Sequence, residues 1–149
     1  MAKIENKDFN VELQIKSIEL LNGSLQLPAT ENTAVTTFNF NISIESKVDV
    51  PNKLVFVIVH VEIKNDDHSL VLGNLSVSCI YEIVNFDVVI KIEENGKLDI
   101  PQRLIETLNS ISISTTRGVM FSTFKGTFLH GAVLPIIDPT QFQIGSHIK

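Results

Sequence analysis

The residues of this chain that could do chemistry are few and far apart. His60, His68, His130 and His147 show no His-x-x-x-His spacing and have no Cys-x-x-Cys companion, so a zinc site would have to take all of its geometry from the fold. No metal and no cofactor is expected. His60 falls on the polar half of a strand face, where a histidine usually serves as a hydrogen-bonded structural residue. Cys79 is the single cysteine, which rules out a disulfide within the chain, and its neighbours Val77 and Tyr81 suit a core thiol in a reducing compartment better than an activated nucleophile. Gly118 and Gly126 bracket a glycine-bearing segment without the Lys-Ser/Thr ending of a phosphate-binding loop, and no Gly-x-Ser-x-Gly or dinucleotide fingerprint occurs. Glu93 and Glu94 are adjacent, but beside Gly96 they read as a solvated turn. The chain is expected not to be an enzyme.

Composition narrows the remaining classes. With 149 residues and 44% hydrophobic content, the chain suits one domain over 1–149 that buries a core without disulfides or metals. A net charge of -5 argues against nucleic acid or an anionic membrane as partner, because both need a basic surface. Lys3, Glu5, Lys7 and Asp8 interrupt any signal-like apolar run. No stretch approaches the roughly 20 apolar residues of a membrane span, so no membrane insertion is expected and the expected location is the cytoplasm.

Most of the chain alternates as strands do. Val11, Leu13 and Ile15 oppose Glu12, Gln14 and Lys16, and Phe38, Phe40, Ile42 and Ile44 oppose Asn39, Asn41, Ser43 and Glu45. Between them, residues 21–33 hold Gly23, Pro28 and Asn32, the punctuation of a long connection that nevertheless contains Leu21, Leu25 and Leu27. A third strand places Val55, Val57, Val59, Val61 and Ile63 on one face and Leu54, Phe56 and Ile58 on the other. Both faces are thus apolar over half its length, which calls for a cover such as another subunit or a ligand, since leaving such side chains wet forfeits about 1.5 to 3 kcal/mol each. A fourth strand returns through Leu75, Val77, Cys79, Tyr81 and Ile83 and switches parity at Val84 to Phe86, Val88 and Ile90, as at a bulge or bend.

The segment from Ser112 to Phe142 is different. Met120, Phe121 and Phe124 share a helical face with Arg117 one turn earlier, Ser112 or Ser114 could cap that helix, and Gly126 would stop it. Leu134-Pro135-Ile136-Ile137-Asp138-Pro139 then reads as an ordered, extended crossing. Pro101 could open an earlier short helix. The expected fold is therefore α+β, with a four-stranded antiparallel sheet (about 9–19, 38–48, 53–64 and 70–92), helices over about 102–108 and 114–125 packed on one face, and a short C-terminal segment at 139–144.

On Arg117, Gly126, Phe128, Pro135 and Phe142, this half of the chain resembles the SecB family of export chaperones, whose helix carries an Ala-Arg, then Gly-x-Phe, then a Pro followed by a Phe. Thr115-Thr116 stands where that family has Pro-Tyr, so the likeness is to a divergent member. It implies capture of unfolded or export-destined polypeptide in a hydrophobic groove, assembly as a homodimer or homotetramer, and delivery to the translocase ATPase SecA or service to a toxin-antitoxin pair. Groove candidates are Leu25, Leu27, Phe38, Phe40, Leu134, Pro135, Ile136 and Phe142; interface candidates are Leu54, Phe56, Ile58 and Arg117; Glu45, Glu62 and Glu82 are the candidates for an acidic docking surface. Arg117 alternatively snorkels, or pairs with a carboxylate inside the fold. The rival readings are a carrier of a small apolar ligand, which needs a closed cavity within one subunit, and a purely structural oligomer.

Overall fold

Alternating apolar residues along the first half of the chain meet as neighbours in one antiparallel sheet. The computed structural model describes residues 2–6, 9–27 and 37–141. Five strands, β1 (Ala2–Asn6), β2 (Phe9–Leu25), β3 (Asn39–Asp49), β4 (Leu54–Lys64) and β5 (Val71–Ile83), lie in the order β1-β2-β5-β4-β3. The sheet thus has one strand more than expected, because Ala2–Asn6 pairs with the start of β2. Val55, Val57, Val59, Val61 and Ile63 of β4 lie beside Tyr81, Cys79, Val77, Leu75 and Gly73 of β5, and this face carries the core.

β2 runs on through Leu21–Leu25, where a loop was expected. Its register against β5 slips between Ile15 and Ser17 and again between Leu20 and Asn22, so Lys16 and Leu21 are extra residues in two bulges. Each bulge flips the parity, which keeps Leu13, Ile15, Ile18, Leu20, Gly23 and Leu25 in line with the core-facing residues of β5. A strict alternation test cannot follow a strand that shifts phase twice.

The expected fourth strand also ends early. After Ile83 the chain turns, forms a single helical turn α1 (Phe86–Val89), and then a small hairpin of β6 (Lys91–Ile92) with β7 (Leu98–Asp99). Phe86, Val89 and Ile90 are buried while Val88 is 69% exposed, a spacing of three and four that the Phe86-Val88-Ile90 alternation masked. Asn85 fastens this turn to β2, donating from Nδ2 to the Asn10 carbonyl at 2.9 Å and accepting from the Glu12 amide at 2.9 Å.

The two expected helices are one, α2 (Gln102–Thr123), laid over β4 and β5. Its middle, Asn109 to Thr116, is rich in serine, threonine and isoleucine and poor in helix formers. Tertiary contacts hold it. Ser112 is fully buried and is no cap: its hydroxyl shares a 2.7 Å hydrogen bond with that of Tyr81, while Thr116 Oγ1 donates to the Ser112 carbonyl at 2.7 Å. Met120 and Phe124 are buried as expected, whereas Phe121 is 49% exposed. The helix ends at Thr123, ahead of Gly126, which is not its stop: with φ of +79°, Gly126 lies in the following turn, closed by the Thr127 amide donating to the Phe124 carbonyl at 3.0 Å. Beyond it Leu129 lies over Gly73, and residues 132–138, which have no regular secondary structure, place Ala132 and Leu134 in the core and lead to a single 3-10 turn (Pro139–Gln141) against α2.

Candidate functional site

Strand β2 is apolar on its core side but incompletely covered. β1 pairs with it only as far as Leu13; from Gln14 to Leu25 it is bonded to β5 on one side and to no described strand on the other. Along this open edge Ile15, Ile18, Leu20 and Leu25 are 39 to 50% exposed, although their partners on β5 are buried. Helix α2 reaches β2 at Gly23, where an added Cβ would lie 3.5 Å from Thr123 Cγ2. The result is an apolar stripe beside a helix with an adjoining row of backbone groups, about 30 Å long at the rise of a strand.

The sequence candidates for a groove partly converge at one end of this stripe. Leu25, Gly73, Ile63 and Phe40 form a row across β2, β5, β4 and β3 on the core side, and Leu129 closes over Gly73. Leu27, 77% exposed, continues the line past the strand end. Phe38 and Phe40 are partly buried against the core, with Phe38 beside Gly131. Leu134 is enclosed: at 1% exposure it fills the core under the crossing and presents no surface. Pro135 is exposed and Ile136 is 96% exposed, while Phe142 lies outside the described residues. Sequence reasoning missed Ile18 and Leu20, whose place was hidden by the bulges.

The opposite face of the sheet holds the interface candidates other than Arg117, together with the acidic candidates. Leu54 and Phe56 are half-buried and Ile58 is 8% exposed; Phe56 and Ile58 floor a furrow of about 670 Å³ between Leu21 of β2 and Val50-Pro51. Toward the other end the face turns polar around a hollow of about 680 Å³ that includes Asn22, Asn41, His60 and Ser76. His60 is held as expected of a structural histidine: Nδ1 shares a 2.8 Å hydrogen bond with Ser76 Oγ, and Nε2 lies 3.4 Å from Glu45 Oε2. Acid, imidazole and hydroxyl stand in relay order, but Ser76 is paired on both sides within the sheet, so its main chain is committed to the ladder instead of an oxyanion.

Each acidic candidate has a lysine beside it. Glu45 lies 3.6 Å from Lys47, Glu62 3.3 Å from Lys64 and Glu82 3.4 Å from Lys16. The His60 hydrogen bond, helped by Lys47 and opposed by slight desolvation, holds the Glu45 carboxyl below its usual range; the Gln14 hydrogen bond does the same for Glu82. Under α2, burial pushes both the Tyr81 phenol and the Cys79 thiol up, as befits core groups. The enclosed space there, lined by Val48, Val57, Leu108 and Asn109 among others, is about 20 Å³, room for one water and no more.

Arg117 makes no ion pair with a carboxylate of its own chain among the described residues. Its Nε donates to the Leu134 carbonyl at 2.6 Å and its Nη2 to the Pro135 carbonyl at 2.7 Å, clamping the crossing to α2. Two of the residues matched in the sequence resemblance are therefore in direct contact.

No family model and no curated protein sequence matches the chain. Among solved structures it is similar to the Mycobacterium tuberculosis Rv1957 SecB-like chaperone, determined in complex with a ChAD peptide from the Rv1956 HigA1 antitoxin. The TM-score is 0.57 at 12% sequence identity, over 84% of this chain and 90% of that one. At that identity the likeness establishes the fold, α+β with an antiparallel sheet and a C-terminal helix.

Proposed function

We propose that this protein is a chaperone that holds segments of unfolded polypeptide in extended form along β2. The observation that carries the reading is the open edge from Gln14 to Leu25, with Ile15, Ile18, Leu20 and Leu25 exposed beside it. Main-chain hydrogen bonds at such an edge add affinity without choosing sequence, and the aliphatic stripe takes up alternate side chains of the bound segment. Leu27, Phe38 and Phe40 extend the surface at the end where Leu129 closes the core. The fold shared with a chaperone solved on an antitoxin-derived peptide supports a polypeptide client of that class, such as an antitoxin segment.

Transfer to a translocase motor is not part of this reading, because Glu45, Glu62 and Glu82 are each matched by a lysine and offer little net acidity. A carrier of small apolar ligands needs an enclosed space of hundreds of cubic ångströms, and the space under α2 holds about 20 Å³. Self-association is the second reading, favoured by the furrow at Phe56 and Ile58 on the other face, and it would occupy that face without closing β2. Mass in solution together with binding of a reduced, unfolded test protein separates the possibilities. The reading expects the test protein to be bound and the binding to fall on Ile18→Ser with Leu20→Ser. Binding that is absent, or indifferent to both changes, overturns it.

A further inference from the structure

Arg117 brings a full positive charge to a surface on which the large apolar side chains of Phe121, Val133 and Ile136 are exposed. Its two hydrogen bonds go to main-chain carbonyls, and among the described residues no carboxylate comes within ion-pair distance. Around it, Phe121 follows one helical turn later at 49% exposure with its ring 5.4 Å from that of His130, and Val133 and Ile136 on the clamped crossing are 53% and 96% exposed. Carbonyl oxygens orient a guanidinium but do not neutralise it, so the remaining N–H donors suit a carboxylate arriving from outside.

The spacing selects the form of the arriving group. Side chains at i and i+4 on a helix stand about 6 Å apart, and alternate side chains of an extended strand about 7 Å apart, so an extended segment can set a carboxylate on Arg117 and a large apolar side chain two residues away on Phe121. The geometry points to this patch as a second contact on the client, reading an Asp or Glu separated by one residue from a large apolar residue. This rests on the polypeptide-binding reading and adds to it a preference that the β2 stripe does not have. The net charge of -5 opposes acidic segments at long range, but that field is screened beyond about 8 Å in physiological salt whereas the contact is not.

The test uses three labelled peptides of equal length that carry Leu-x-Asp, Leu-x-Asn or Leu-x-Lys at one site, titrated by fluorescence anisotropy against the wild-type protein, Arg117→Gln and Arg117→Lys. On the wild type the Asp peptide is expected to bind about tenfold more tightly than the Asn peptide and the Lys peptide to bind worst, a tenfold ratio being about 1.4 kcal/mol. The difference should vanish in R117Q and survive in part in R117K. If R117Q fails to fold, the three peptides on the wild type still decide. Equal binding of all three overturns the acidic preference and leaves the chaperone reading standing; no binding of any peptide overturns both. A change of oligomeric state in R117Q with no discrimination among peptides would assign the patch to a second copy of the chain and overturn the proposal.

Discussion

Strands β4 and β2 carry similar aliphatic side chains on the same face of the sheet, yet their fates differ. From Val55 to Ile63 the core-facing residues of β4 are at most 5% exposed, while Ile15, Ile18 and Leu20 of β2 are 45 to 50% exposed. The difference lies in what covers them. α2 lies over β4 and β5, whereas β2 meets α2 near Thr123 and, among the described residues, has no outer partner beyond Leu13. Apolar content alone therefore does not define the core; the course of one helix divides the same residue types into a sealed layer and an open one.

That contrast can be broken by substitution. Ile63→Ala, in the sealed layer, is expected to cost about 3 kcal/mol in urea unfolding, and Ile18→Ala, on the open one, under about 1 kcal/mol while weakening capture of unfolded chains. Similar losses at both sites would mean that β2 is covered after all. Gly73→Ala tests the seam between the layers: the new Cβ would sit 2.7 Å from Leu129 Cδ1 and 3.0 Å from the Ser24 carbonyl, and a loss of about 2 kcal/mol is expected. A neutral result would show that the loop over Gly73 yields. Tyr81→Phe removes the buried bond to Ser112 and should lower stability by about 1 kcal/mol, with the remaining Ser112 hydroxyl as the cause.

The smallest effect concerns the polar face. Because the folded-state carboxyl of Glu45 lies below its ordinary value, its pairing contributes stability above the usual carboxylate range, and that contribution is lost as pH falls through the lowered value. Between about pH 6 and about pH 3, the urea midpoint should drop slightly less in Glu45→Gln than in the wild type. An equal drop would show that the His60 contact contributes nothing.

The parts legible in the sequence were those whose pattern keeps one phase. β3 and β4 pair without a bulge from Asn39 to Asp49 and from Leu54 to Lys64, and their alternation located them to within a residue or so. Alternation stops short of the end of β2 because two bulges reset its parity, and across the one helical turn of α1 Phe86, Val88 and Ile90 imitate the alternation of a strand. The middle of α2 carries strand-like residues that pack on the sheet and bond to Tyr81, a residue distant in sequence, and no local signal reveals that. Of the candidate site, Leu25 and Leu27 stood out as leucines without an evident partner. The open stripe at Ile18 and Leu20 depends on where α2 happens to pass, and Arg117 acts on carbonyls 17 and 18 residues away that carry no side-chain signature.

Hydrogen–deuterium exchange over 14–25, with and without a reduced, unfolded test protein, bears most directly on β2 as the client-binding edge. The expected result is exchange that is faster along this strand than along β4 when the protein is alone, and that slows there when the unfolded chain is added. Slow exchange at 14–25 in the absence of any client, or protection that appears only on β3 and β4, would contradict it.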